Sequence, residues 1–225
     1  MKIKTLYFLI VGGAMLITTF SNETLAQSRA KYLALGDSYT IGESVEVKQR
    51  WPMQLSKTLN ANGKLFDEPV IIATTGWRTD NLKNAIDSAH LKNEYDLVSL
   101  LIGVNNQFQA KPIDQYAIEF EALLLNAIEL AKGISANVFV VSIPDYGYTP
   151  FGKSKQIEIS KAIDHFNEVS EKISKKYGVN YFYITDISRR GIDQTDLVAA
   201  DGLHPSGKMY ELWVERIATG LITKP

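Results

Sequence analysis

Ser38 sits in "LALGDSYTIG", residues 33 to 42, where an apolar run breaks abruptly at Gly36-Asp37. Gly, Asp and Ser are common turn residues, so the tripeptide alone indicates only a turn. A serine hydroxyl becomes an effective nucleophile when a neighbouring base takes its proton. Histidine suits that task because its ordinary pKa of ~6.5 leaves it mostly neutral at physiological pH. The chain has three histidines. His90 and His165 fall in expected helices, where a polar side chain faces water by default. His204 is on a loop, in "AADGLHPSG", with Asp201 three residues before it. A carboxylate at that spacing in a turn can accept the Nδ1 proton and aim Nε2 at the serine. A turn role for Asp201 stays open, and Asp186 and Asp196 are alternative orienting carboxylates.

Acyl transfer also needs donors aimed at the developing oxyanion, each worth on the order of 100- to 1000-fold in rate. The backbone N–H groups of Ser38 and of Gly76, in "IIATTGW", and the side-chain amide of Asn105, in "LLIGVNN", are the candidates. Glycine lets a substrate approach the main chain closely, and asparagine is a neutral donor. Taken singly, each of these residues reads as a loop former.

These positions matter only if the fold brings them together. Residues 31–35, 70–74, 97–102, 138–143 and 181–184 are short, near-continuous apolar runs and read as buried strands of a parallel sheet. Longer amphipathic segments separate them. Helices are expected from Pro52 to about Gly63 and from Asp80 to His90, with Ile113 to Lys132 and Gln156 to Tyr177 each followed by a glycine stop. Ser206 is placed to cap a last helix that turns Met209, Leu212, Trp213 and Ile217 inward. Alternation of this kind predicts an α/β fold, a doubly wound three-layer α/β/α sandwich on a flavodoxin-like five-stranded parallel sheet of order 2-1-3-4-5. Ligands bind such sheets beyond the carboxyl ends of the strands. Ser38, Gly76, Asn105 and His204 all follow strands or precede the last helix on that edge.

With 225 residues, 45% hydrophobic and 22% charged, the chain is long enough for one well-buried core. Lys2 and Lys4 precede an apolar stretch from Thr5 to Phe20, and Thr24-Leu25-Ala26 offers small residues for cleavage, so residues 1–26 are expected to be a secretory signal peptide. A spanning helix needs ~20 mostly apolar residues, and this stretch is shorter and interrupted by Gly12, Gly13, Thr18 and Thr19. The expected mature chain, residues 27–225, is therefore secreted or periplasmic, without stable membrane insertion. Its charge stays near neutral without basic clusters, which argues against nucleic acid as a partner. The absence of cysteine excludes disulfides, a thiol nucleophile and thiolate metal sites.

"GDSY" at Ser38, "TTGW" at Gly76, "IGVNN" at Asn105 and "DGLHPSG" at Asp201 and His204 resemble the four signature blocks of SGNH hydrolases, also called GDSL esterases and lipases. Each block is weak alone; all four in order, from Lys31 to about Trp213, are specific. The resemblance implies a Ser38-His204-Asp201 triad, an oxyanion hole from Ser38, Gly76 and Asn105, and no metal or organic cofactor. Two positions depart from the family pattern. Tyr39 stands where the first block often has Leu, which affects local packing. Asn106 stands where the third block commonly has Asp, which removes a carboxylate that could brace the loop and is expected to loosen Asn105.

Aromatic residues Tyr146, Tyr148 and Phe151 in "SIPDYGYTPFGK", with Trp77 and Tyr39, are candidates to wall an acyl pocket or stack on a sugar, or else pack their own loops. Arg78, Arg189 and Arg190 could meet an anionic substrate group, although arginines are mostly solvated. The function expected is a secreted serine esterase for short- or medium-chain esters, including O-acetyl groups on carbohydrate. The alternatives are a lysophospholipase or thioesterase of the cell envelope and a non-catalytic carbohydrate-binding protein on the same scaffold.

Overall fold

A computed structural model describes residues 29–223; the expected signal peptide, residues 1–26, lies outside them. The five apolar runs form β1 (Tyr32–Gly36), β2 (Val70–Ala73), β3 (Leu97–Leu101), β4 (Val138–Val141) and β5 (Asn180–Phe182). Every neighbouring pair is parallel, in the order β2-β1-β3-β4-β5. The register sets Gly36 beside both Ala73 and Leu101, so the first three strands end level and their loops leave one common edge.

β1, β3 and β4 are buried throughout, as continuous apolar runs require when both faces are covered. The outer strands depart from the expectation of full burial. Val70 on β2 is 43% exposed, and all of β5 is only half-buried. β4 also ends earlier than its apolar run. Beyond Val141, side chains take over from the ladder: Asn167 Oδ1 accepts from Ile143 N at 2.7 Å, and Ser142 Oγ accepts from Ile184 N at 2.8 Å.

The helices are α1 (Ser38–Ile41), α2 (Trp51–Ala61), α3 (Thr79–Ser88), α4 (Val104–Phe108), α5 (Ile113–Leu130), α6 (Gln156–Lys176), α7 (Thr185–Ser188) and α8 (Gly207–Ile222). α2 packs on α8, while α5 packs on α3 and α6, giving the two helical layers of a doubly wound sheet. The apolar stripe of α5 is buried as its periodicity predicts, with Tyr116, Phe120, Leu123, Leu124 and Ala127 fully covered. On the other layer, Trp51 of α2 meets Phe139 of β4 edge-on at 6.3 Å between ring centroids. Fully burying an aliphatic or Phe side chain of this kind contributes about 1.5–3 kcal/mol. Ser206 caps α8 by accepting from Met209 N at 3.3 Å. His90 is not in a helix: α3 stops at Ser88, and His90 lies beyond it, exposed, at φ 45°. Among the described residues no helix is long and apolar enough to cross a membrane.

Candidate active site

Ser38 opens α1 immediately after β1. The turn is tight because Gly36 allows it. A Cβ there would stand 2.2 Å from Thr40 Oγ1 and 2.5 Å from the carbonyl of Leu101. Asp37 caps α1, its Oδ1 accepting from Tyr39 N at 3.0 Å. Its Oδ2 is buried without a partner, and burial pushes the carboxyl up to about 7 against the lowering effect of backbone N–H groups. Ser38 is 5% exposed, and its N–H, at the start of the helix, has no intrahelical acceptor.

Gly76 follows β2 with φ 83°, in the left-handed region that favours glycine. A Cβ at this position would meet no atom within 4 Å. Backbone conformation, rather than crowding by the protein, demands glycine here. Asn105 lies on α4, just beyond β3, and its Nδ2 donates to the Trp77 carbonyl at 2.9 Å. An amide NH2 carries two hydrogens, so this bond leaves one for a ligand.

The expected loosening by Asn106 does not occur. Asn106 is buried and clamps Thr79 at both ends: Oδ1 accepts from Thr79 N at 3.1 Å, and Nδ2 donates to Thr79 Oγ1 at 2.7 Å. The Thr79 hydroxyl in turn donates to Glu119 on α5. A neutral amide, able to donate and accept, thus braces the Asn105 segment against the start of α3, where a carboxylate could only accept.

His204 precedes α8, and its Nδ1 lies 2.6 Å from Asp201 Oδ2. Asp201 Oδ1 accepts from the backbone N–H groups of Leu203 and His204, both at 2.9 Å. Asp201 therefore fills its turn role and its histidine contact together, one oxygen for each. Burial alone would raise its pKa. The Ser44 hydroxyl, the His204 ring and the two N–H groups outweigh that and hold the carboxyl well below the usual carboxylate range. The two alternative carboxylates are engaged elsewhere, Asp186 with Arg216 and Asp196 with Lys208.

Ser38, Gly76, Asn105 and His204 line one cavity of about 140 Å³. Tyr39, Tyr146 and Phe151 line it as the sequence suggested, joined by Thr75, Val104, Phe108 and Leu203, which it did not. The Tyr39 ring meets His204 edge-on at 5.7 Å. Phe108, Tyr146 and Phe151 stand 6.1–6.3 Å apart and form a wall, behind which a second groove of about 390 Å³ runs past Gln107, Lys155 and Glu158. Trp77 and Tyr148 are not part of the cavity lining. Trp77 contributes its carbonyl and packs on the core, and Tyr148 faces the Arg189 guanidinium at 5.9 Å. The three arginines are paired as well: Arg78 with Asp80 and Gln109, Arg189 with Asp145 and Asp164, and Arg190 with Gln194. His165 is exposed on α6. Among the described residues no cluster of His, Cys, Asp or Glu has the arrangement to hold a metal ion.

The model of the GDSL-like lipase/acylhydrolase family matches residues 34–212, which include every block of this site. The chain belongs to that family. As a GDSL hydrolase it acts on carboxylic esters. It is similar to an arylesterase of Vibrio mimicus, at 23% identity over 215 residues that cover 92% of this chain and 96% of the relative. Its fold is also that of two solved esterases. One is Axe2, an acetylxylan esterase from Geobacillus stearothermophilus, with TM-score 0.68 and 18% identity over 87% of this GDSL hydrolase and 95% of that chain. The other is the psychrotrophic esterase EstA from Pseudoalteromonas sp., with TM-score 0.61 and 18% identity over 84% and 94% of the two chains.

Proposed function

We propose that this GDSL hydrolase is a serine esterase that cleaves small acyl groups from alcohols, O-acetyl groups on carbohydrate among them, through an acyl-enzyme. Ser38 Oγ attacks the ester carbonyl while His204 Nε2 takes its proton. His204 then returns that proton to the departing alcohol, and a water activated by the same imidazole releases the acid. Asp201 holds the ring and stabilises the imidazolium. The N–H groups of Ser38 and Gly76 and the remaining amide hydrogen of Asn105 receive the oxyanion.

The observation that carries this reading is a single small, largely apolar cavity that holds Ser38, His204, Gly76 and Asn105 together. At about 140 Å³ it is well below the ~300–1,000 Å³ of pockets for drug-sized ligands, which favours a short acyl group. The acetylxylan esterase with the same fold makes an acetylated sugar the substrate to try first. The test is a series of p-nitrophenyl esters from acetyl to dodecanoyl, with Ser38→Ala as control. The reading requires kcat/KM to peak at four carbons or fewer and activity to vanish in the variant. A peak at long chains would contradict it.

One second reading has an observation in its favour. Phe108 and Phe151, 57% and 54% exposed, separate the cavity from the larger groove, a path that suits the acyl chain of a lysophospholipid or thioester. The long-chain end of the same series reports on it. Export belongs to the first reading: release at Ala26 would leave Gln27 as the first residue, which N-terminal sequencing of the protein from culture fluid or periplasm reads directly.

A further inference from the structure

Asp201 Oδ2 accepts twice. Besides Nδ1 of His204 at 2.6 Å, it takes the hydroxyl of Ser44, also at 2.6 Å, from a residue 157 positions away in sequence. Ser44 is an outlier in its backbone as well as in its contact. Its φ of 65° lies in the left-handed region, which a non-glycine residue in a turn occupies only against a steric cost. A glycine at this site would carry no such cost, so the strained serine is matched to a contact that only its side chain makes. Such an outlier beside a reaction centre is a reason to look for a role.

The segment around Ser44 is fastened at both ends. Glu43 N donates to the Ser38 carbonyl at 3.0 Å, and the Glu43 carboxylate accepts from Thr75 Oγ1, next to Gly76. Residues 43 and 44 therefore form a strap from the Ser38 turn to the Gly76 loop on one side and to Asp201 on the other. With Oδ1 committed to two backbone N–H groups, the hydroxyl is the contact that orients Oδ2, and through it the imidazole.

We propose that Ser44 is a positioning residue for the reaction, a fourth member that fixes the Asp201 carboxylate and so the aim and basicity of His204. This rests on the Ser38-His204-Asp201 reading above. Ser44 does not line the cavity that holds Ser38 and His204; it acts through its hydrogen bond to Asp201. It also shares the lone pairs of Oδ2 with the imidazole. Without it, Oδ2 accepts more strongly from Nδ1–H and favours the imidazolium, so the acidic limb of the activity profile moves to higher pH. The charged or titratable groups that face the pair are Tyr39 from α1, Asp145 and Tyr146 from the loop after β4 and Tyr210 from α8, with Glu43 on the strap and Asp37 and Arg50 acting on Tyr210 behind them. None is changed in the test.

The experiment compares Ser44→Ala, Ser44→Gly, Asp201→Asn and the double variant Ser44→Ala/Asp201→Asn, reading kcat and KM for p-nitrophenyl acetate across pH 5–9 with thermal melts alongside. Ser44→Ala keeps the strained backbone without the hydroxyl, and Ser44→Gly relieves the strain. Both are expected to lose roughly three- to tenfold in kcat with KM unchanged, and to shift the acidic limb upward. Because the effect runs through the carboxylate, Ser44→Ala should add nothing in the Asp201→Asn background, the signature of coupled sites. A merely structural role predicts instead a lowered melting temperature, an unmoved limb and equal losses in both backgrounds, and that result would overturn the proposal. If Asp201→Asn is impaired while Ser44→Ala matches the wild type, Ser44 alone is refuted. If Asp201→Asn is fully active, the triad reading fails and the proposal falls with it.

Discussion

Replacing Asn106 with alanine tests the claim that an amide clamp, rather than a carboxylate, holds the Asn105 and Gly76 loops together. The change deletes two hydrogen bonds to Thr79 and leaves the buried Thr79 N–H without an acceptor, since the first residue of α3 has none within the helix. At about 1 kcal/mol for each bond, with about 1–3 kcal/mol for the stranded donor as the upper part of the range, the loss comes to roughly 2–4 kcal/mol of folding stability. Asn106→Asp separates charge from geometry. The new carboxylate can take the Thr79 N–H, but it has no hydrogen for Thr79 Oγ1, whose own hydrogen goes to Glu119. Two acceptors then compete for one hydroxyl, and about 1–3 kcal/mol should be lost at neutral pH. Adding Glu119→Gln returns a donor and should recover about 1 kcal/mol as a coupling between the two sites. Urea unfolding followed by tryptophan fluorescence gives the stabilities, and kcat on p-nitrophenyl acetate gives the effect on the loops, expected to fall at least tenfold in Asn106→Ala. Stability within about 0.5 kcal/mol of wild type, together with unchanged kcat, would refute the clamp.

Three further perturbations follow from the same geometry. Asp37, pushed up to about 7 by burial, binds its proton more tightly in the folded chain than in the unfolded one, so its contribution is full below about pH 4 and is lost as pH rises through 7. The total is on the order of 4 kcal/mol, and Asp37→Asn should remove that decline; parallel stability curves for variant and wild type from pH 4 to 8 would contradict it. Gly76→Ala places a Cβ in open space at φ 83°, so it should cost only about 1–2 kcal/mol of stability while kcat falls more than tenfold, because relief of the strain turns away the N–H that we propose receives the oxyanion. Phe151→Ala removes a half-exposed ring from the cavity wall, so stability should stay within about 0.5 kcal/mol while kcat/KM for butyryl esters drops severalfold; an unchanged ester profile would take Phe151 out of substrate binding.

How much of this was legible in the sequence depended on whether the cause was local. β1, β3 and β4 announced themselves because both faces are covered and their residues are almost all apolar, Ser99 of β3 being the polar exception, whereas Val70 and β5 look alike in sequence and lie at the half-covered edges. Ser38, Gly76, Asn105 and His204 were legible because each adjoins a strand end or the last helix, and strand order fixes the edge they share. Asp201 could be preferred over Asp186 and Asp196 but not separated from them, since that depends on Arg216 and Lys208 claiming the other two. Ser44 gave no signal, because its partner is 157 residues away and an isolated serine in a turn is ordinary. Asn106 was misjudged because the sequence shows a missing carboxylate but not the Thr79 hydroxyl that needs a donor. Trp77 and Tyr148 were chosen by residue type, and loop side chains carry no periodicity to show which way they point.

The central claim is that Ser38 is an activated nucleophile, and covalent labelling tests it most directly. The chain over residues 27–225, treated with a fluorophosphonate, should gain one adduct by intact mass, and Ser38→Ala should gain none. The absence of cysteine leaves no thiol to compete for the reagent. A folded wild-type chain that takes no label, or a Ser38→Ala variant that labels as the wild type does, would contradict the account.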